Sequence, residues 1–413
     1  MEGREEVAVR ARLSVVLAVG LVGIGISPVA AGSLRGQLPG VAQEVGIQGG
    51  SAFDAMADAL ADSAARNIPL ISASAGFTYS YNPTLEVFER TSDTLGPLFV
   101  ERPDTIGRGK FNVNVSWQYT QLDEYDGADA RDLHSPDQII VDVRDINGTL
   151  VRRTANDLRY NLKLITNIVG LSATYGVLDN LDVNILVPLL DTNFDVTANR
   201  MRQQVALPGG PFEVSPGVPL TGKEVGDKFG VGDIFLRAKY QLPREDWLRW
   251  AAGLQFRLPS GKNSDFQGTG SFEAIPYLTL STLLWSRVEP HAVFGIDFFA
   301  NDVSRSQADY DLGVDVDIIK RVGVTIAFLG RSEFSGIASS GSTNFAHLTP
   351  TGVQQEPLLG LNFGRKDYFD FSFGARAVVW RQVMLFANGI YALNSEGFRS
   401  SVIIPTVGVE ATF

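Results

Sequence analysis

Strict alternation of apolar and polar residues dominates this chain from Gly109 onward. In KFNVNVSWQYTQ, which begins at Lys110, every second residue is apolar and the residues between are polar. The same period recurs in DIFLRAKYQ, YDLGVDVDI and YFDFSFGAR. A period of two is that of a β-strand with one apolar and one polar face. The sequence therefore predicts an all-β fold whose strands separate an apolar environment from a polar one.

The chain ends in such a strand, VIIPTVGVEATF, from Val402 to Phe413. Ile403, Val407 and Val409 share a face with Phe413, whereas Glu410 falls on the other face. A terminal aromatic residue on the apolar face is typical of bacterial outer-membrane barrels. The fold class predicted is a transmembrane antiparallel β-barrel, with the lipid bilayer of the outer membrane and, through this last strand, the outer-membrane assembly machinery as partners.

Twelve segments are predicted as barrel strands, approximately 109–121, 157–177, 181–195, 232–242, 248–258, 272–285, 289–300, 307–318, 322–332, 367–379, 383–393 and 402–413. Their connections alternate between short and mostly longer ones, as in outer-membrane barrels with periplasmic turns and extracellular loops. Two further segments, 138–145 and 356–363, also look like strands, and we place them in the long loops. If both of them crossed the membrane, the barrel would have fourteen strands, which is the alternative count.

Strand 157–177 changes the phase of its apolar residues near Thr166. Two explanations remain open at this point. One is a β-bulge, which inserts an extra residue and exchanges the two faces. The other is a strand that rises well above the membrane before it enters the bilayer.

The tryptophans give an independent indication of where the membrane ends. Trp247, Trp250, Trp285 and Trp380 lie at or beside the short connections. Tryptophan prefers the interface between lipid and water. We therefore expect these four residues, with Phe413, to form an interface girdle at the periplasmic rim.

Composition excludes several classes of protein. The chain has no cysteine, so disulfides, thiol catalysis and a lipoprotein anchor are excluded. After the N-terminus it has no run of eighteen apolar residues, which argues against a helical membrane protein. A net charge of −11 argues against nucleic-acid partners. No cofactor or metal site is implied.

Residues 1–31 look like an export signal. An apolar core, Leu13–Ile26, precedes small residues up to Ala31 where a signal peptidase would cut. Glu2, Glu5 and Glu6 depart from the usual positive start, so the true start lies downstream of Met1 or Arg10 and Arg12 suffice. An uncleaved N-terminal helix is the alternative.

Residues 32–108 do not alternate and precede the barrel, 109–413. Ser51–Asn67 has the spacing of a short helix. The segment is too apolar for a disordered tail. We predict a plug inside the lumen, with a lid at the barrel mouth as the alternative, and its candidate plug residues are Phe77, Tyr79, Tyr81, Phe88, Leu98 and Phe99.

A dense row of charges is predicted to line the lumen. Its carboxylates alternate along one strand, and its cations fall on the inward phase of other strands: Asp309, Asp311, Asp315, Asp317, Arg237, Lys239, Arg257, Arg331 and Arg376. Such residues could pair across a water-filled interior and narrow it. Purely structural bracing is the alternative to a role in selectivity.

Several of these segments resemble the outer-membrane family named for the meta-cleavage pathway of phenol degradation. The matching pieces are Thr94–Gly127, Tyr175–Phe194, Val231–Leu242, Leu254–Lys262, Gly268–Ser281 and the closing PTVGVEATF. The resemblance covers most of the chain beyond residue 74. It implies an outer-membrane barrel that takes up aromatic or other hydrophobic molecules, and it carries over no catalytic residue.

The function expected is therefore a passive channel for a small hydrophobic or aromatic compound. One alternative is a structural or binding barrel whose lumen never opens. The other is a surface hydrolase, which the three histidines, His134, His291 and His347, do not favour because none has the neighbours of a known catalytic site.

Overall fold

The computed structural model describes most of the chain after the expected signal segment. The described residues are 32–45, 50–72, 79–82, 87–90, 95, 99–134, 138–144, 147–148, 150–205, 218–243, 245, 247–285, 287–319, 321–336, 344–349, 352–357, 363–380 and 382–413. The predicted signal peptide, 1–31, lies outside them.

Two helices precede the strands of the barrel. Helix α1 runs over Leu34–Glu44 and helix α2 over Gly50–Arg66. No helix in the described part of the chain is long and apolar enough to cross a membrane. A short hairpin of β1 (Tyr79–Asn82) and β2 (Val87–Arg90) follows. The helix predicted at Ser51–Asn67 is thus present, and α1 was not predicted.

The rest of the chain forms a closed antiparallel barrel of twelve transmembrane strands. The wall strands are β3 (Phe111–Leu122), β8 (Leu150–Leu178), β9 (Leu181–Val205), β10 (Val218–Val231) continued by β11 (Ile234–Gln241), β12 (Arg249–Leu258), β13 (Glu273–Ser281), β14 (Val288–Phe299), β15 (Gln307–Ile319), β16 (Val322–Glu333), β19 (Asp367–Trp380), β20 (Val383–Ala392) and β22 (Ile404–Thr412). The predicted fold class and strand number are confirmed.

The barrel closes between its first and last strands. β22 pairs antiparallel with β3, from Thr406 opposite Gln118 to Thr412 opposite Asn112. Phe111 and Phe413 exchange two backbone hydrogen bonds of 2.9 and 2.7 Å at the end of this seam. Closure leaves no open sheet edge in the bilayer, which is the condition for a β-structure to span it.

The two ends of the barrel differ. At the turn end, neighbouring strands are joined by the short connections 179–180, 242–248, 282–287, 320–321 and 381–382, and Phe111 and Phe413 lie there as well. At the loop end, long segments add short strands: β4 (Glu124–Tyr125), β5 (Ala128–Asp129), β6 (Leu133–His134), β7 (Gln138–Arg144), β17 (Asn344–Thr349), β18 (Gly352–Pro357) and β21 (Phe398–Arg399). The described residues of the segments 138–145 and 356–363 thus belong to the loop end, where Glu356 and Pro357 are the last residues of β18.

The outer wall carries large exposed apolar side chains at every second position. They include Val115, Trp117, Leu171, Ile185, Leu236, Leu278, Phe294, Leu312, Ile326, Phe371, Phe373, Leu385 and Val407. At the turn end Trp247, Trp285, Trp380 and Phe413 are exposed, whereas Trp250 is partly buried and donates to the Pro243 carbonyl at 3.0 Å. Such a surface matches lipid in the middle and an interface at its edge.

Strand β8 has no bulge at Thr166. Its even-numbered residues face inward without interruption from Leu158 to Thr174, and the register shifts only between Gly176 and Leu178. The polarity of the two faces changes instead. Near the loop end the inner face is apolar and the outer face polar, because the strand has left the membrane. The bulge is therefore wrong, and the alternative of a strand that rises above the membrane is correct.

Strand β10 was predicted as part of a long loop. It pairs with β9 from Val218 opposite Arg202 to Val231 opposite Leu189, and β11 then pairs with the lower part of β9. Gly222, Gly226 and Gly230 occupy its inner face, where a Cβ atom would strike α1 or Gln267. These glycines interrupt the apolar alternation, so the sequence pattern concealed the strand.

Candidate functional site

Helices α1 and α2 pack against the inner wall in the loop-end half of the barrel, and they are called the plug helices below after the plug that the sequence predicts. Leu34, Leu38, Met56 and Leu60 have no exposed surface and belong to one apolar cluster. Inward-facing residues of β8 and β9 complete this cluster, namely Leu158, Tyr160, Leu162, Leu164, Phe194, Val196 and Ala198. Phe53 packs on Tyr160 with ring centroids 5.3 Å apart. This part of the interior is a hydrophobic core like that of a soluble protein.

Polar contacts fix the ends of the plug helices. The backbone N–H of Leu34 donates to Asp265 at 3.1 Å, and Arg35 donates to Asn263 at 3.0 Å. At the other end, Arg305 pairs with Asp62 of α2. Both helices are thereby attached to the loops that follow β12 and β14.

Arg66 at the end of α2 faces a group of acids. It lies 3.6 Å from Asp297 and over the ring of Phe299. Burial alone would lower the pKa of the guanidinium, but Asp62, Glu273 and Asp297 raise it above the usual value. Arg66 is therefore a permanent cation in the middle of the lumen.

From Asn67 to Ser72 the chain descends along the inner wall. Ile68 packs with Ile168, Leu186, Leu190 and Phe235. Gln118 donates to the carbonyl of Asn67, and Arg237 donates to that of Ile71 at 2.9 Å. The barrel wall thus binds this segment partly through its backbone carbonyls.

Residues 99–106, which we call the strap, cross the turn-end half of the lumen. The ammonium group of Lys239 donates to Glu101 at 2.7 Å and to the carbonyls of Arg102 and Asp104 at 2.7 and 2.9 Å. Arg249 donates to Asp104 at 2.6 Å. In contrast to the plug helices, the strap is held mainly by charged and polar groups.

The predicted lumen residues all face the interior. Arg257 binds Asp233 at 2.8 Å and donates to the Ala65 carbonyl of α2, and Arg376 donates to the Leu95 carbonyl. Asp317 accepts from the Leu95 N–H, and Asp315 lies 3.6 Å from His291. Most of these charges therefore bind the N-terminal segment or a neighbouring strand, and the acids of β15 form no continuous ladder with the cations.

Three residues of the predicted row remain outside these contacts. Asp309, Asp311 and Arg331 have no ion pair in the described part of the structure, and all three line a cavity. Asp309 stands opposite Arg331 in the pairing of β15 with β16. Together they are called the charged patch below.

The predicted plug aromatics are only partly described. Phe77 and Leu98 lie outside the described residues. Tyr79, Tyr81 and Phe88 lie in the β1–β2 hairpin, of which the structure describes the backbone. Phe99 packs against Ile71 and Phe386 and lines the cavity.

Sequence reasoning missed Asp233. Its buried carboxylate accepts from the N–H groups of Gly261 and Thr269 at 3.0 and 2.8 Å as well as from Arg257. It thereby fastens the loop after β12 over the break between β10 and β11. The motifs VGD (231–233), PSGK (259–262) and GTG (268–270) meet at this point. In the sequence, the one sign of their importance was that each lies in a segment that resembles the family.

The cavity has a volume of about 280 Å³ and lies between the descending segment and the inner wall of the barrel, with lining residues from β3, β11 to β16 and β19 to β22. Its apolar lining residues include Ile68, Leu70, Phe235, Ile390 and Ile404. Its polar lining includes the charged patch, Asp297, Tyr368 and Asp370. Its size suits a small molecule, because sites for drug-sized ligands begin at about 300 Å³.

The described residues contain no cluster of three or more side chains that could hold a metal ion. His134 is exposed and bonds to the Asp132 carbonyl at 3.2 Å, while His291 is buried in the lumen beside the Glu289 carbonyl at 3.1 Å. The side chain of His347 is outside the described residues.

The fold is that of a transmembrane β-barrel of twelve strands, with helices α1 and α2 packed on inward-facing residues of β8 and β9. The chain belongs to the family described as "Putative MetA-pathway of phenol degradation", whose model matches residues 162–375. No curated protein matches the chain.

Solved structures give further likenesses. An outer-membrane channel from Pseudomonas putida F1 has 12% sequence identity and a TM-score of 0.45, covering 75% of this chain and 97% of that chain. The NanC porin has 8% identity and a TM-score of 0.37, covering 73% and 98%. A deletion mutant of the TodX monoaromatic hydrocarbon channel has 9% identity and a TM-score of 0.33, covering 83% and 96%.

Proposed function

We propose that this chain is a passive channel of the bacterial outer membrane for small hydrophobic or aromatic compounds. The observation that carries the proposal is a lumen closed by the chain's own N-terminal segment, with a small, partly apolar cavity beside that segment. A barrel built only to brace the membrane has no need of such a cavity. Membership of the family supports the same cargo class.

Residues 32–108 serve as the plug in this proposal, and the turn end faces the periplasm. The even number of strands places both ends of the barrel there, as export requires. Passage then needs a movement of the plug, since the plug helices and the strap lie at successive depths in the lumen. Transport follows the concentration gradient, and the protein acts without catalysis.

The test is single-channel conductance of the refolded protein without residues 1–31 in planar bilayers. The intact protein is expected to show small, gated currents that change when an aromatic compound such as toluene is added. Removal of residues 32–75, which include both plug helices, should give a larger and steadier current.

The rival is a structural barrel whose lumen never opens. Silence of both proteins, with folding shown by the slower electrophoretic migration on heating, would favour this rival. A deletion variant that folds but conducts no more than the intact protein would contradict the role of residues 32–75 as a plug.

A further inference from the structure

The charged residues that line the cavity fall into two groups. Most are already neutralised by a partner at short range: Arg66 by Asp297 at 3.6 Å, Arg257 by Asp233 at 2.8 Å, Arg399 by Asp370 at 2.9 Å and Arg237 by Glu101 at 4.0 Å. The charged patch of Asp309, Asp311 and Arg331 has no such partner among the described residues. It is a charged part of the lining that can still interact with a bound molecule.

The position of Arg331 is fixed by an aromatic ring. Its guanidinium lies 4.2 Å from the centroid of Tyr368, and that of Arg399 lies 4.8 Å from the same centroid. The Nε of Arg331 is enclosed and has no hydrogen-bond partner among the described residues. Stacking on a ring holds a guanidinium without using its N–H groups, so the terminal N–H groups of Arg331, which lines the cavity, are left to donate to a bound molecule.

The carboxylates beside it supply acceptors. The carboxylate of Asp311 accepts one hydrogen bond, from the backbone of Gly330, and can accept more. Asp309 also lies within the electrostatic reach of both Arg331 and Arg66. The patch thus offers acceptors and a donor side by side, with charges of both signs.

This mixture disfavours a ligand that carries a full charge. An ammonium group that bound to the carboxylates would be desolvated close to two cations, Arg331 and Arg66. A carboxylate that bound to Arg331 would be desolvated close to two acids, Asp309 and Asp311. Desolvation of a charge without a clean partner is costly, and a nearby like charge adds to that cost. A neutral group that both donates and accepts satisfies the patch without this penalty.

Resting on the proposed function, we propose that the charged patch selects uncharged cargo whose polar group donates one hydrogen bond and accepts another, such as an alcohol or a primary amide on a small apolar body. The polar group donates to Asp309 or Asp311 and accepts from the terminal N–H groups of Arg331. The apolar body lies against apolar lining residues such as Ile68 and Leu70.

The test compares three ligands of similar shape that differ in charge, together with a reference ligand. Benzamide is neutral, benzoate is an anion and benzamidine is a cation, and toluene is the reference without a polar group. Binding to the full protein in lipid nanodiscs is measured by titration calorimetry, with empty nanodiscs subtracted. Benzamide is expected to bind at least about tenfold more tightly than benzoate or benzamidine, the difference that one good hydrogen-bonding arrangement supplies.

Charge variants separate recognition from a structural role. Arg331→Met should lower the affinity for benzamide about tenfold and raise the affinity for benzamidine, because two carboxylates then remain without the cation of Arg331. The double variant Asp309→Asn, Asp311→Asn should raise the affinity for benzoate, because two negative charges beside Arg331 are removed. The matched control is Asp195→Asn, on the outer face and 48% exposed in its side chain, which should leave every affinity unchanged.

The outcomes are distinguishable. If benzoate or benzamidine binds the unaltered protein best, or if toluene binds and the three polar ligands do not differ, the selectivity is overturned while the proposed function stands. If none of the four compounds binds, the proposed function fails and this inference fails with it. The ranking for the unaltered protein decides the question even if a variant does not fold.

Discussion

The N-terminal segment is held by apolar packing in one half of the lumen and by polar interactions in the other. In the loop-end half, the plug helices bury Leu38, Met56 and Leu60 against β8 and β9 in an apolar core. In the turn-end half, Lys239 and Arg249 hold the strap through hydrogen bonds and ion pairs. An apolar core loses its contacts when it opens to water, whereas polar groups can exchange partners with water at small net cost. If residues 32–108 act as the proposed plug, we therefore expect the strap to be the part that opens repeatedly.

The largest effect is expected for Lys239→Met, which breaks the polar closure. Removing one partner of a buried ion pair costs about 3–5 kcal/mol, and here Glu101 loses the cation that lies nearest to it, at 2.7 Å. The strap should detach, and the open probability in planar bilayers should rise while the midpoint of barrel unfolding changes little. Lys163→Met, on the outer face of β8, is the control. Unchanged gating in Lys239→Met would contradict the assignment of the strap as the moving part.

Leu60→Ala tests the apolar closure. The cavity left in the core of the plug helices should cost about 2–5 kcal/mol. Because the helices are held by a large apolar surface, we expect weaker resistance of α2 to proteolysis, with much less added current than in Lys239→Met. A variant that conducts as strongly as Lys239→Met would show that both halves open together.

Asp233→Asn tests the wall between these two regions. The substitution removes the charge that accepts from Arg257 and two backbone N–H groups, and hydrogen bonds to charged groups contribute about 1.5–3 kcal/mol. We expect a lower urea midpoint for the barrel, with gating by the strap retained. Asp195→Asn, an exposed partner of Lys223 at 3.5 Å, should cost no more than about 1 kcal/mol. Equal effects of the two variants would contradict the role of Asp233.

The smallest effect is expected for Gly226→Ala, which probes the close approach of α1 to β10. The added methyl group would strike Leu34 and Gln37, so a helix or strand must shift at a cost of about 1–3 kcal/mol. Increased protease sensitivity of α1 is the expected readout. Gly32→Ala is the control, because a methyl group at this position meets no other atom. Gly148 is unsuitable, because its φ of +80° would strain any residue with a side chain. No difference between the two variants would mean that α1 adapts to a side chain at this position.

The sequence allowed the barrel to be predicted because alternation is a local signal. KFNVNVSWQYTQ and YFDFSFGAR each show both faces of a strand within a few residues. Even the change of faces in β8 was visible near Thr166, although it had two explanations until the register was known.

What escaped prediction depends on contacts between distant parts of the chain. Helix α1 contains Gly36, Pro39 and Gly40 and has a weak helical pattern, and its packing on β10 and on the loop with Asp265 stabilises it. Glu101 and Lys239 are separated by well over a hundred residues, so nothing local marked them as partners. The cavity likewise combines side chains of many strands with those of the plug.

Hydrogen exchange of the protein in lipid, followed by mass spectrometry, tests the contrast between the two halves most directly. Exchange in the native state reports the free energy of local opening for each segment. The account predicts that residues 99–106 exchange much faster than α2, and that Lys239→Met accelerates exchange in residues 99–106 alone. Exchange of α2 that is as fast as that of residues 99–106 would contradict the assignment of a fixed apolar closure and a movable polar one.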